Sequence, residues 1–208
     1  MENDAVEEAA VRLWYEREMG WPVTGGRPAG LVTGVRFDVL DVPAAAGRAV
    51  LRRLPRTGPA ALAGDRIWLL VAAGGAEELP GLLDWLDWGG VALDLTARGA
   101  GDQVRAPALP GRPPHRGGPV WLRPPVRGCA VEMTLPALTL ACGPAGPAAD
   151  GPVGLVPLVG VVATECHRNR LFPADPPGST PPRAPVSAPA CVPAPPMARG
   201  RLRPRALI

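Results

Sequence analysis

Asp38 and Asp41 stand where an α/β protein puts its chemistry, at the end of an apolar run that leaves a glycine turn at Gly34 and reaches Pro43, where a helix can begin. No other pair of acids closes so β-prone a segment, so catalysis or metal binding would pass through these two. Asp94 sits near the end of a second such segment, Val91 to Leu95. Asp41 lies three positions after Asp38, so a regular strand over 35–41 turns them to opposite faces.

The elements that must position these acids follow from periodicity. A helix is expected from about 4 to 19, with Asp4 and Glu7 as a capping pair, Val6, Leu13 and Trp14 at helical spacing, and Gly20 as its stop. Pro43 suits the first turn of a helix over 44–54 whose inner face is Val50, Leu51 and Leu54. Arg66 to Ala72 has the length and apolar content of a central strand, and a helix over 77–88 follows with Leu79, Leu82, Leu83 and Leu86 inward. Trp85 and Trp88 on that helix read as core or rim packing. Short strands are expected at 91–95 and 120–123, residues 99–107 read as a glycine turn into a short edge strand stopped by Pro107, and a last helix is expected at about 158–172 with Val161, Val162 and Leu171 inward.

Composition excludes several classes. Proline divides the chain, with 6 of 29 in residues 1–106 and 23 beyond, so the first half should fold while the last 36 residues, holding eleven prolines, should be disordered. All 22 basic residues are arginine, and residues 173–208 carry five arginines against one aspartate, leaving 1–172 at −1. The sequence pI near 9.0 therefore describes the tail rather than a basic groove. Residues 1–19 carry six acids against two arginines, a face that repels a phosphate backbone. Cys129, Cys142, Cys166 and Cys191 form no CxxC, which argues against zinc and redox motifs. The acidic start and the lack of a long apolar run point to a cytoplasmic protein with no membrane partner. Thr24 to Gly30 lacks the Gly-Lys-Ser/Thr ending of a P-loop and reads as a connector, and His167 has no ligand partner.

In order, the chain shows a Thr33-Gly34 turn, an apolar strand ending in Asp41, a helix, a Gly64-Asp65-Arg66 turn into a second strand, an acid-bearing segment at Asp94, and a close at Pro107-Ala108. Over about residues 31–110 this order resembles the N-terminal primase-polymerase domain of the archaeo-eukaryotic primase superfamily, in its small actinobacterial form. The resemblance implies a strand-end Asp-x-Asp pair holding Mg²⁺ against triphosphate oxygens, and a His after a Gly-Gly-Arg turn. Here Asp41 takes the first acid's place, Pro43 the second's and Ile67 the histidine's, while Asp94 stands for the acid of the later strand.

The expectation is an α/β (α+β) domain over 1–125 with a small mixed sheet flanked by helices, a Pro/Gly-rich linker with one helix over 126–172, and a Pro/Ala-rich disordered tail over 173–208. Its function, by resemblance, is that of a catalytically degenerate primase-polymerase-like module that binds nucleotide or nucleic acid. An active enzyme is the alternative, with Asp38, Asp41 and Asp94 as Mg²⁺ ligands, Asp41 and Asp94 catalytic, and Arg66 steadying the phosphates of a nucleoside triphosphate on DNA. A second alternative is a non-enzymatic α/β regulatory or scaffold protein.

Overall fold

The computed structural model describes residues 2–114, 117–126, 131–138 and 151–173, with side chains from residue 5 onward. The tail expected from 173 lies outside them after its first residue, as do Cys129, Cys142 and Cys191. The elements run α1 (Glu2–Arg17), β1 (Gly30–Val32), β2 (Asp38–Pro43), α2 (Ala44–Arg53), β3 (Ala60–Ala63), β4 (Arg66–Val71), α3 (Gly75–Trp85), β5 (Thr96–Arg98), β6 (Gln103–Arg105), β7 (Val120–Arg123) and α4 (Leu155–Leu171). The class is α/β, and no helix among the described residues is long and apolar enough to cross a membrane.

Five strands form one sheet in the order β5-β2-β4-β3-β7, and β1 pairs with β6 apart from it. Every ladder is antiparallel where a mixed sheet was expected. The reason is topological: α2 carries the chain across from β2 to β3 and leaves a gap of one strand, which β4 fills antiparallel to both. The β3–β4 hairpin turns on Gly64-Asp65, with Gly64 at φ +63.

The strand expected at 35–41 begins only at Asp38. Residues 33–36 form a turn stacked on the 99–102 turn. Thr33 Oγ1 donates to the Gly99 carbonyl at 2.6 Å, and Gly34, at φ +81, lies so close to Ala100 that a Cβ would sit 2.3 Å from its Cα. The strand expected at 91–95 is irregular and β5 starts at Thr96 instead. Its backbone groups are taken elsewhere: the Val91 N–H donates to the Trp88 carbonyl, and Arg170 Nη1 donates to the Ala92 carbonyl.

Strand alternation gives the sheet two apolar faces. Leu40, Val42, Ile67, Leu69 and Val71 point to the face covered by α2, α3 and α4. There Leu155, Leu158, Val159, Val162, Ala163 and Cys166 make the buried stripe of α4, which is central to the core. Leu171, expected inward, is 58% exposed because it falls off that stripe, and Val161 is only half-buried. Trp85 is likewise exposed, while Trp88 rests against His167 with ring centroids 5.5 Å apart.

Val39, Trp68 and Leu70 point to the other face, against Trp14, Tyr15, Trp21, Phe37 and Val104. Trp21 is the hub, stacked on Tyr15 at 5.8 Å and 4.6 Å from Phe37. The buried Tyr15 hydroxyl donates to the Pro107 carbonyl at 2.9 Å and accepts from Trp121 Nε1 at 3.0 Å.

Two arginine clamps tie α2 down. Arg123 of β7 donates to the carbonyls of Leu51 and Leu54, at 2.6 and 3.1 Å, and to Thr57 Oγ1, satisfying the orphan groups at the end of α2. The buried Glu165 of α4 pairs with Arg53 at 2.9 Å and with Arg168 at 3.1 Å.

Gly47 lets α2 rest on β4, since a Cβ there would meet Ile67 Cβ at 2.6 Å and Cγ2 at 2.9 Å. Gly47→Ala is therefore expected to destabilise the fold by about 1–3 kcal/mol, although alanine favours a helix by about 1 kcal/mol. Urea denaturation followed by circular dichroism measures the change.

Candidate functional site at the Asp41–Arg66 cluster

The β2–β4 ladder sets Asp41 opposite Trp68 and Pro43 opposite Arg66, so Asp41, Arg66 and Trp68 project from the same side of the sheet. The β2–β5 ladder adds Thr96 opposite Asp41 and Arg98 opposite Val39, on that side too. Asp41 is 5% exposed, and a carboxylate so buried requires partners for both oxygens. Oδ1 accepts from Arg66 Nε at 2.6 Å, and Oδ2 accepts from Trp68 Nε1 at 3.1 Å with Arg98 Nη2 at 3.6 Å. Arg66 Nη2 also donates to the Asp41 carbonyl at 2.9 Å.

The remaining arm of Arg66 reaches Asp94, with Nη1 to Oδ1 at 2.6 Å. One guanidinium thus spans both acids and draws Asp41 and Asp94 into one cluster. Burial lowers the basicity of Arg66, but hydrogen bonds to Asp41 and Asp94 and their charges outweigh it and raise it above the ordinary arginine value. Cys166 lies within the field of the cluster. Burial pushes its thiol up to about 12, the Asp94 charge adds to the rise, Arg66 opposes it and Glu165 reinforces it.

Asp38 is not part of this cluster. It projects from the opposite side of β2, fully buried, where Oδ2 accepts from the Ala76 N–H at 2.9 Å in the first turn of α3. No side chain caps α3 from within, so a strand carboxylate serves its positive end. Asp38 Oδ1 has no partner among the described residues.

These positions test the fit of Mg²⁺, which requires several oxygen donors converging at about 2.0–2.1 Å. One of the three aspartates faces away, both oxygens of the second are bonded to cationic or N–H donors, and the third is paired with the same arginine. The residues present do not fit the ion in this arrangement. No group of three or more His, Cys, Asp or Glu side chains among the described residues is placed to hold a metal.

Trp68 and Arg98 are the residues that sequence reasoning missed. Trp68 was findable, since it alternates with Arg66 on one strand; Arg98 depends on the β2–β5 register, which no local pattern reveals. A cavity of about 370 Å³ lies elsewhere, between α1, the turn at Arg27-Pro28 and the chain after β6. Comparison with protein-family models, curated proteins and solved structures found no match.

The cluster implies an asymmetric response to mutation. Arg66→Met leaves Asp41 buried against a partial partner and is expected to cost about 2–4 kcal/mol, whereas Asp94→Asn, at a side chain 60% exposed, should cost less than about 1 kcal/mol. Chemical denaturation of both variants checks this. The raised Cys166 thiol also sets a pH dependence, because above its ordinary value of 9.0 the unfolded chain ionises while the folded chain does not until about 12. Stability should therefore fall as pH rises through that window, and fall less in Cys166→Ala, as read by urea midpoints at stepped pH.

Proposed function

We propose that this chain is a non-catalytic binding module on a primase-polymerase-like frame, in which an arginine-centred ion-pair cluster stands where the resemblance implies a metal centre. The family part of this reading rests on the motif order over residues 31–110. The observation that carries the loss of catalysis is the Arg66 guanidinium between Asp41 and Asp94, at 2.6 Å from each. Loading a divalent cation there would require Arg66 to leave, breaking three hydrogen bonds, and a second carboxylate to take its place.

Without a bridging cation, the partner implied by the resemblance, a nucleoside triphosphate or DNA, is met by arginine directly. Arg98 is the residue placed for this. Its side chain is 43% exposed beside Asp41, with Nη2 held only loosely at 3.6 Å from Oδ2. Planar guanidinium donors match phosphate oxygens without a metal.

The test is a titration of the protein with a nucleoside triphosphate and with single-stranded DNA, with and without Mg²⁺, read by tryptophan fluorescence and paired with primer extension. Expected are binding that does not require Mg²⁺, a loss of at least about fivefold in Arg98→Ala, corresponding to about 1 kcal/mol, and no extended product. Primer extension abolished by Asp41→Asn would restore the enzymatic reading. A flat response to every nucleotide and to DNA would leave a scaffold or regulatory domain instead.

A further inference from the structure

The cavity beside α1 is separate from the aspartate cluster and shares no residue with it. It is open because its walls are short: Ala29, Ala106, Ala108 and Gly118 present at most a methyl group between Val11 and Leu109. At about 370 Å³ it lies in the size range of small-molecule sites, which are mostly apolar with a few polar groups that fix orientation.

Five charged residues line it: Arg27, Arg105, Arg112, Glu7 and Glu8. Glu8 is committed, its Oε1 accepting from the Ala29 N–H at 2.6 Å while Oε2 lies 3.7 Å from Arg27 Nε. Glu7 and Arg105 each have a partner. Arg112 is exposed, and its side chain has no hydrogen bond or ion pair among the described residues. Three arginines against two glutamates give the lining a formal charge of +1.

We infer that this cavity binds a small apolar monocarboxylic acid, its hydrocarbon body between Val11 and Leu109 and its carboxylate on Arg112 with Arg27 alongside. A guanidinium and a carboxylate pair through two parallel N–H···O bonds, which fixes the head while the apolar walls take the body. The glutamates set the charge limit. A single negative charge neutralises the lining, whereas a dianionic or polyphosphate head would bring excess charge against Glu7 and Glu8.

The experiment titrates the purified full-length chain with decanoate, decanol and decyl phosphate, below their aggregation limits, by calorimetry and tryptophan fluorescence. Expected is saturable decanoate binding at one per chain, at least fivefold weaker in Arg112→Ala, restored in part by Arg112→Lys, and at least fivefold weaker for decanol. Val11→Phe, which fills the cavity, should abolish it; if circular dichroism shows that variant unfolded, Ala108→Leu fills the same space from another wall. Absence of saturation, more than one decanoate per chain, affinity unchanged in Arg112→Ala, or decyl phosphate binding more tightly than decanoate would each overturn the assignment. Arg98→Ala should leave decanoate affinity unchanged, which separates this site from phosphate binding at the aspartate cluster.

Discussion

Strand β2 obeys a simple constraint: its side chains alternate between two covered faces, and two of them are carboxylates an odd number of residues apart. Asp38 must therefore serve one side of the sheet and Asp41 the other. Each has to be satisfied where it falls, because both are buried. On one side the available donor is the start of α3, and on the other it is Arg66, two residues from Trp68 along β4. The two acids that look like a pair in the chain thus hold two different junctions of the fold.

That division explains why the sheet is apolar on both sides yet carries charge on β2, an inner strand. Helices α2, α3 and α4 close one face with aliphatic side chains, while the aromatic group around Trp21 closes the other. The helical layer meets Asp38 with a backbone N–H of α3, whereas the counter-charges around Asp41 come from within the sheet. Arg66 and Arg98 flank Asp41 from β4 and β5, the two strands that sandwich β2. An arginine suits this better than a lysine, since one planar group can hold two acids and a carbonyl at once.

Much of this frame was legible along the chain, and the parts that were not share a cause. The strands β2, β4 and β7 and the helices α2 and α3 announce themselves by apolar runs and helical spacing, while the first helix ends at Arg17, one turn short of the Gly20 expected to stop it. Strand β3 does not, because Ala60-Ala61-Leu62-Ala63 has no β-branched residue; its state is imposed by β4 on one side and β7 on the other. Gly30 to Val32 carries no pattern long enough to announce a strand and is one through its pairing with Gln103 to Arg105, with Val23 bridging Leu31 on the other side. The opposite orientation of Asp38 and Asp41 follows from counting residues. The bond from Arg66 to Asp94 does not, since it depends on an irregular segment that α4 holds in place through Arg170.

Strand β7 is an outer strand of the five-stranded sheet, joined to its neighbours through β3 alone. Such a position ordinarily frays first, or offers its free edge to another chain. Here its last residue, Arg123, is also the plug for the open carbonyls at the end of α2. Peeling this margin away would therefore unstopper a helix on the far side of β3, so the border of the sheet and the helix above it open together or not at all.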